Sequence, residues 1–387
     1  MNTSPAGARD AGTEARSTVM VKTADVFVVG GGPAGLATAI AARQRGFEVV
    51  VADGTQPPID KPCGEGLMPD GRAALEKLGI GIPAEMAHPF RGIRFVSGDL
   101  SVEASFPDTN GIGVRRTVLH RIMVARAEAA GVALLWKTPV TGLHPDGVLL
   151  GGRVVRSRWL VGADGGHSLL RQWAGLDRYH YDRTRFAFRR HYRISPWTDC
   201  MELHWGPRCQ IYVTPVAANE ICVALISLDP HLRLDAALPA FPDLVSRLRD
   251  AEPSSLERGA ISTTRKLHRV YQGRVALVGD ASGTVDAITG EGLCLSFRQA
   301  EVLAECFAAG NLERYQQLHR ALARRPTLMA RLMLTLDWKT SFRQRVMRAF
   351  GSDQRLFGRM LAMHVGALSL ADFATNGLSL AWQVLNV

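Results

Sequence analysis

The sequence lacks the long apolar runs of an integral membrane protein. None of its 387 residues lie in a run approaching the roughly 18 apolar residues that a transmembrane helix requires. The first 23 residues also lack the apolar stretch of a signal peptide, and they contain Asp10 and Glu14. We expect them to form a flexible tail, with translation starting at Met1 or at Met20. These absences predict a cytoplasmic protein.

Cysteine is scarce, and its placement argues against a fold that is held together by disulfide bonds or by structural zinc. The six cysteines are spread along the chain with no paired spacing, so we expect neither a disulfide framework nor a structural zinc site. No Ser-His-Asp order, catalytic carboxylate pair or metal-ligand spacing stands out either. The sequence therefore predicts reduced thiols and no metal site.

Acidic residues are rare in one C-terminal segment, while the whole chain carries a net charge of +10. Residues 320–359 contain ten Lys or Arg and two Asp, interleaved with apolar residues at helical spacing. A basic amphipathic helix is typical of a solvated surface or of a peripheral membrane contact, and both interpretations stay open here. Because no zinc finger or RNA-binding signature accompanies the segment, we expect no nucleic-acid partner.

A glycine-rich turn lies between a strand and a helix near the N-terminus. An apolar strand leads into Gly30-x-Gly32-x-x-Gly35, an Ala-rich helix and a second strand that ends at Asp53. In such a turn the first glycine permits the bend, the second lets the backbone approach a pyrophosphate, and the third lets helix and strand pack closely. The helix N-terminus favours phosphate, and Asp53 can accept hydrogen bonds from a ribose. The pattern predicts dinucleotide binding by Gly30, Gly32, Pro33, Ala34, Gly35 and Asp53.

Three later motifs indicate which dinucleotide is bound. They are Arg115-Arg116-x-x-Leu119, Gly162-Ala-Asp164-Gly165 and Gly279-Asp280-Ala-Ser-Gly283. In this order they resemble the motifs of the FAD-dependent superfamily with the p-hydroxybenzoate hydroxylase fold, which includes aromatic hydroxylases, geranylgeranyl reductases and flavin halogenases. The resemblance covers residues 24–310 and implies FAD as the cofactor, with Asp164 at its site.

The resemblance also implies roles for particular residues. Asp280 would hold the ribityl chain, Arg116 would lie near the pyrophosphate, and Val140 would lie near the adenine. Gly292 and Leu293 begin a helix whose N-terminus would stabilise negative charge at the pyrimidine edge of the flavin.

Three features bear on the branch of the superfamily. Lys61-Pro-Cys63-Gly-Glu-Gly66 resembles the Lys-x-Cys-Gly-Gly segment of geranylgeranyl reductases, whose Cys lies near the flavin. Aromatic hydroxylases usually carry His and Pro after the Gly-Asp-Ala, where this chain has Ser282-Gly-Thr284. The Trp-x-Trp-x-Ile-Pro signature of the halogenases is absent.

Two chemistries fit these motifs, and the first is favoured. After reduction of FAD by NAD(P)H, the protein would act as a monooxygenase on a hydrophobic aromatic or polyketide-like substrate, or it would reduce an alkene of a lipid as geranylgeranyl reductases do. Tyr212 could hydrogen-bond a phenol or carbonyl in the first chemistry, and Cys63 is the candidate acid in the second. A third alternative is a flavin-binding protein that acts on or with a partner protein.

The expected fold is α/β, with a Rossmann-like FAD-binding domain, an inserted β-sheet substrate domain and a helical C-terminal segment. If residues 209–214 form a strand, Tyr212 shares a face with Gln210 and Thr214. His191 is expected to be a structural residue of another strand. The predicted units are a tail at 1–23, the FAD-binding domain at 24–175 and 266–310, the substrate domain at 176–265 and the basic helical segment at 311–387.

Overall fold

The structure is a computed structural model that describes residues 22–369, without the side chains of residues 181 and 182. The predicted tail before residue 22 and the predicted helical segment beyond residue 369 lie outside this range. In chain order the strands are β1 (Thr23–Val29), β2 (Val49–Ala52), β3 (Gly66–Leu67), β4 (His88–Phe90), β5 (Gly92–Ser97), β6 (Leu100–Ser105), β7 (Gly111–Gly113), β8 (Ala133–Leu135), β9 (Val140–His144), β10 (Gly147–Leu150), β11 (Arg153–Gly162), β12 (Tyr179–Arg193), β13 (Cys200–Gly206), β14 (Cys209–Ala217), β15 (Glu220–Ser227), β16 (Glu252–Pro253), β17 (Arg258–Leu267), β18 (Tyr271–Gln272) and β19 (Val275–Leu277).

The helices lie between these strands and in a block after the last strand. They are α1 (Pro33–Arg43), α2 (Pro69–Lys77), α3 (Arg116–Ala129), α4 (Leu169–Trp173), α5 (Leu234–Ala237), α6 (Pro242–Leu248), α7 (Gly292–Ala308), α8 (Leu312–Trp338), α9 (Thr340–Ser352) and α10 (Gln354–His364). This is the α/β fold with C-terminal helices that the sequence predicts.

The first sheet is built around β1, in which residues 26–29 are buried. Its strand order is β18-β19-β11-β1-β2-β8, and β1 runs parallel to both β11 and β2. A parallel sheet is covered by helices on its faces, which explains the continuous apolar run in β1. The following helix α1 packs on β1 and against α3 and α7. It begins at Pro33, within the glycine motif, because proline is favoured in the first turn of a helix.

The second sheet lies across the cleft from the glycine turn and is buried on both faces. Its order is β16-β12-β15-β14-β13-β5-β6, with β17 paired to β12. Alternate residues of β14 face two different cores, as the period of a strand requires. Ile211 and Val213 pack with Leu244 of α6, whereas Tyr212 packs in the main core.

Strands β5 and β6 join a different sheet from the one that the predicted domain boundaries imply. The prediction assigns both strands to the FAD-binding domain, whereas β5 pairs in parallel with β13 and extends the second sheet. Burial of their apolar residues explains the difference. Ile93 and Phe95 are buried, and the ring of Phe95 lies 4.9 Å from that of Phe357 in α10.

Helices α8, α9 and α10 fold back over the second sheet. Arg185 of β12 anchors the end of α8, since its guanidinium donates to Asp337 at 3.0 Å, to Gln210 at 3.1 Å and to Asp286 at 3.1 Å. Within residues 22–369, no helix combines the length and the apolarity that crossing a bilayer requires.

Candidate active site

The β1–α1 turn gives its three glycines different roles. Gly30 has a φ of 108°, which L side chains rarely adopt. A side chain at Gly35 would collide with the carbonyl oxygen of Gly30, so this glycine lets the helix pack on the strand. A Cβ at Gly32 would meet no atom within 4 Å. The backbone at Gly32 therefore faces open space at the N-terminus of α1, which suits a pyrophosphate.

Asp53, at the end of β2, fixes this turn. Its Oδ2 accepts a hydrogen bond from Gly31 N at 2.7 Å, and its Oδ1 accepts from Thr55 N and Thr55 Oγ1, each at 2.7 Å. A carboxylate has about four acceptor positions, so Asp53 retains capacity for a further donor such as a ribose hydroxyl.

The glycine turn opens into a cleft of about 820 Å³ between the two sheets. Residues of β12, β15 and β17 form the opposite wall. Each sequence-predicted site residue except Gly35 lines this cleft, and Gly35 is buried beneath the turn. The structure thus brings the predicted set together, while the individual roles remain predictions.

Arg116 begins α3 and offers an unpartnered donor to the cleft. Its backbone N donates to Glu65 Oε1 at 2.9 Å. Its buried side chain leaves Nε without a hydrogen-bond partner. A buried guanidinium N–H without an acceptor is costly, and it fits an anionic group such as phosphate. Together with the open backbone at Gly32, it makes this end of the cleft suitable for the pyrophosphate of FAD.

The two aspartates of the later motifs differ in their contacts. Asp280 Oδ2 accepts from Lys61 Nζ at 2.5 Å, and its side chain is partly exposed at the cleft. Asp164 instead holds the start of α4, because Oδ1 accepts from Oγ of the N-cap residue Ser168 at 2.5 Å and Oδ2 accepts from Leu170 N at 3.1 Å. Asp164 lines the cleft, but its carboxylate stabilises the local turn.

The N-terminus of α7 points its first turn at the cleft. Gly290 has a φ of 68°, and Gly292 would have no neighbour within 4 Å of an added Cβ. Leu293 lines the cleft beside it. The N-cap residue, Glu291, is buried, and this burial raises its pKa to about 8. This helix end presents free N–H groups to a cofactor.

Cys63 lies in the loop between β2 and β3 and lines the cleft. Burial raises the pKa of its thiol above the usual 9.0, although Arg116 and Arg189 act in the opposite direction. The side chain is therefore a neutral thiol at physiological pH. Such a neutral thiol can donate a proton, and the charges of Arg116 and Arg189 offset part of the cost of the thiolate that remains.

Glu65, two residues after Cys63, was not predicted as a site residue. It is buried, its Oε1 accepts from Arg189 Nη1 at 3.0 Å, and its Oε2 lies 2.6 Å from His191 Nε2. His191 Nδ1 in turn lies 2.8 Å from Ser255 Oγ. The predicted structural histidine thus belongs to a buried polar network behind Cys63.

The same network resembles a metal site in composition. Glu65, His191 and Cys222 place potential ligand atoms within 4.8 Å of one another. The Nη1 atom of Arg189 lies 3.0 Å from Glu65 and 3.2 Å from His191 Nε2. Because a guanidinium already supplies positive charge to these groups, the residues fit a metal cation poorly.

Tyr212 extends from β14 to the floor of the cleft. Its hydroxyl donates to the carbonyl oxygen of Ile288 at 2.5 Å, and burial raises its pKa well above the usual 10.0. The only proton of this hydroxyl is therefore committed to a backbone carbonyl.

Residues 23–190 match the family described as an FAD binding domain. The solved structure of a flavoprotein/dehydrogenase from Cytophaga hutchinsonii is similar, with a TM-score of 0.78 and 19% identity over 89% of this chain and 93% of that chain. These matches fit an FAD-dependent oxidoreductase, and they agree with the resemblance of the sequence motifs to the superfamily with the p-hydroxybenzoate hydroxylase fold.

Curated relatives of this flavoprotein carry names of two reaction types. The menaquinone reductase of Mycobacterium tuberculosis is 29% identical over 322 residues, which is 76% of this chain and 78% of that protein. The ubiquinone hydroxylase of Rhodospirillum rubrum is 27% identical over 321 residues, covering 74% and 73%. Digeranylgeranylglycerophospholipid reductase 1 of Methanothermobacter thermautotrophicus is 25% identical over 315 residues, covering 75% and 78%.

A second cavity of the flavoprotein lies between the second sheet and helices α8–α10. It holds about 500 Å³. Its walls are almost entirely apolar and come from β5, β13 and the three helices; they include Phe95, Leu203, Met333, Leu336, Phe342, Phe350 and Met360. Met201, Tyr212 and Thr289 line both this cavity and the flavin cleft. The two spaces therefore adjoin at these three residues.

The sequence indicated only part of this arrangement. The methionine-rich spacing of residues 328–336 predicted an apolar helix face, but β5 gave no sign that it would form the opposite wall. Glu65 was part of the motif Cys63-Gly-Glu65-Gly66. An acidic residue between two glycines was the one sequence signal that it belongs to the site.

Proposed function

We propose that this flavoprotein reduces a carbon–carbon double bond in a lipid with a long apolar tail. The observation that carries the proposal is the junction of the two cavities at Met201, Tyr212 and Thr289. A tail lying in the apolar cavity would bring its end, or a double bond within it, to the flavin cleft. Similarity to two proteins named as reductases, one of them of a geranylgeranyl phospholipid, supports this choice.

Cys63 provides the proton in this proposal. Bound FAD supplies a hydride when it is reduced. The Cys63 thiol supplies the proton to the second carbon, so that the π bond breaks and two C–H bonds form. Arg116 and Arg189 favour the resulting thiolate, which regains a proton from solvent. Burial by the apolar walls excludes water from the reacting carbons.

NAD(P)H remains the proposed source of electrons. The sequence has no second Gly-x-Gly-x-x-Gly motif, so a separate nicotinamide-binding domain is not indicated. We propose that the nicotinamide nucleotide enters the flavin cleft transiently.

Hydroxylation, which the motifs favour, is the second candidate. Similarity to the protein named ubiquinone hydroxylase supports it. Such a reaction needs a group that assists deprotonation of the aromatic ring substituent. The candidate for this role, Tyr212, donates its proton to Ile288 O, and reduction through Cys63 is therefore preferred.

Replacement of Cys63 tests the proposal. Cys63→Ala should lower the rate of alkene reduction by about a hundredfold or more, as expected for loss of a general acid. Its FAD content and the rate of flavin reduction by NADPH should not change. Cys306→Ala removes a buried thiol that lines neither cavity and is the matched control. Full alkene reduction by Cys63→Ala, or an equal loss in both variants, would contradict the role of Cys63.

A further inference from the structure

The exposed face of α8 forms a regular basic stripe. From Arg320 onward, exposed residues recur at intervals of three or four, in keeping with one side of a helix. These residues are Arg320, Arg324, Thr327, Arg331, Thr335 and Trp338. Earlier in the same helix, Glu313, Arg314 and Gln317 are exposed as well, and so is Ala321. The stripe ends at Trp338, which is 81% exposed. The contact that its ring makes is with Lys339, whose Nζ lies 5.5 Å from the ring centroid.

Helices α9 and α10, which pack against α8, carry further exposed basic residues. Arg345 and Arg348 lie on the exposed side of α9, and Arg355 and Arg359 lie on that of α10. We call these four residues, with the stripe of α8, the basic face.

Acidic residues are few around the basic face. Within the described residues 320–369, the two acidic residues are Asp337 and Asp353, and both are half-buried. Asp337 accepts from Arg185, and Asp353 caps α10 through Arg355 N. The turn between β5 and β6, on which these helices pack, adds one exposed acid, Asp99.

The apolar cavity opens on the basic face. Thr335 of α8 and Arg359 of α10 line the cavity and are also exposed. They therefore mark its mouth, which lies one helical turn from Trp338. An apolar cavity with Arg359 at its mouth, among helices that carry further exposed arginines and an exposed tryptophan, matches the chemistry of an anionic lipid surface, where basic groups meet headgroups and tryptophan lies at the interface.

We propose that the basic face docks on an anionic phospholipid bilayer and turns the mouth of the apolar cavity toward the lipid. This inference rests on the proposed function and extends it, because a lipid substrate could then pass from the bilayer to the cavity without crossing water. Electrostatic attraction to the surface and insertion of Trp338 hold the protein there, and no membrane-spanning segment is needed.

Vesicle flotation of the full-length holoenzyme tests this docking. Vesicles of phosphatidylcholine with phosphatidylglycerol should carry the protein, vesicles of phosphatidylcholine alone should not, and added salt should release it. The double variant Arg345→Glu/Arg348→Glu should weaken binding by about tenfold or more, and Trp338→Ala should weaken it to a smaller extent. None of these residues lines either cavity, so FAD content and NADPH oxidation with a soluble acceptor should stay unchanged.

Two further variants make the test specific. Arg121→Glu/Arg249→Glu applies the same charge change to exposed residues of α3 and of the end of α6, and it should bind vesicles like the wild type. Equal loss in this control would show a response to net charge and overturn the proposal. A variant that ends at Ser369 should still bind; loss of binding there, with full binding by Arg345→Glu/Arg348→Glu, would assign the contact to residues 370–387 and overturn it too.

The vesicle experiment separates this inference from the proposed function. Binding needs no turnover, so failure to reduce an alkene leaves the docking result intact. Absence of any preference for phosphatidylglycerol would contradict the docking even if alkene reduction were observed with lipid dispersed in detergent.

Discussion

Glu65 is a buried carboxylate in a loop of mostly small residues. It accepts hydrogen bonds from Arg116 N, Arg189 Nη1 and the ring of His191. Its φ of 59° is one that non-glycine residues seldom adopt. Such a conformation persists only where surrounding contacts stabilise it enough to offset its cost, and the hydrogen bonds to these three partners do so. Glu65 thereby fixes the loop that carries Cys63 beside the cleft.

Neutralising Glu65 should destabilise the protein strongly. In Glu65→Gln the buried guanidinium of Arg189 loses one of its two carboxylate partners and keeps Asp60 at 2.7 Å, so the free energy of unfolding should fall by about 3 kcal/mol. Urea denaturation measures this change. Glu48→Gln is the control, because Glu48 pairs with Arg43 at 2.9 Å but is 76% exposed; it should cost less than about 1 kcal/mol. A similar small loss in both variants would contradict the account of Glu65.

Some residues of the site can be predicted from the amino-acid sequence, and others cannot. Gly30, Gly32 and Gly35 act through backbone geometry within one turn, so their spacing alone predicts the site. Glu65 acts through partners 51, 124 and 126 residues away. Nothing in a single sequence reports such distances, and Glu65 was therefore missed although its motif was noted.

Two glycines at the start of helix α1 have different roles: Gly35 is needed for packing, and Gly32 is needed for binding of the cofactor. Gly35→Ala should destabilise the fold, because the added methyl group overlaps the carbonyl of Gly30. Gly32→Ala should unfold like the wild type, because its methyl group meets no atom within 4 Å, but it should bind FAD more weakly since the methyl group lies where the pyrophosphate approaches. Thermal unfolding of the apoprotein and FAD titration separate the two effects. Equal behaviour of the variants in both measurements would contradict this assignment.

The N-terminus of α7 should make stability depend on pH. Burial raises the pKa of Glu291 to about 8 from the usual 4.5, and Asp70 adds to the rise, while Arg325 and Arg298 oppose it. His364 faces the same carboxyl, and burial lowers its pKa to about 4. A carboxyl with a raised pKa favours the folded state below pH 4.5, and this contribution is lost as the pH rises through about 8.

Glu291→Gln should remove the loss of stability that accompanies ionisation of this carboxyl. The free energy of unfolding of the variant, relative to the wild type, should therefore increase between pH 5 and pH 8, as measured by urea denaturation at several pH values. Glu301→Gln changes a partly exposed glutamate of the same helix that pairs with Lys77, and it should show no such trend. A parallel pH profile for wild type and Glu291→Gln would contradict the assignment.

Elements were predicted best where their pattern is local. The β1–α1–β2 unit was visible because its apolar runs and glycines are consecutive. The place of β5 and β6 was not, because it depends on residues far along the chain: β5 pairs with β13, β6 pairs with β5, and Phe95 packs against Phe357 of α10.

At the scale of the molecule, two cavities adjoin. The flavin cleft lies between the two sheets, and the apolar cavity lies between the second sheet and helices α8–α10. This arrangement predicts selectivity for substrates with long tails. Met333→Trp would fill the apolar cavity, so it should raise the KM for long-tailed lipids and leave the reduction of a short soluble substrate unchanged. Leu322→Trp places the same side chain on α8 outside the cavity and is the control. Equal effects on long and short substrates would contradict the role of the cavity.

The most direct measurement of the central claim is a single turnover without oxygen. The holoenzyme, with its FAD reduced in advance, is mixed anaerobically with a polyprenyl lipid, while flavin absorbance and the mass of the lipid are followed. We predict that the flavin is reoxidised by the lipid and that the product gains two hydrogen atoms. A flavin that stays reduced until oxygen is admitted, followed by a product that gains an oxygen atom, would contradict alkene reduction and assign hydroxylation in its place.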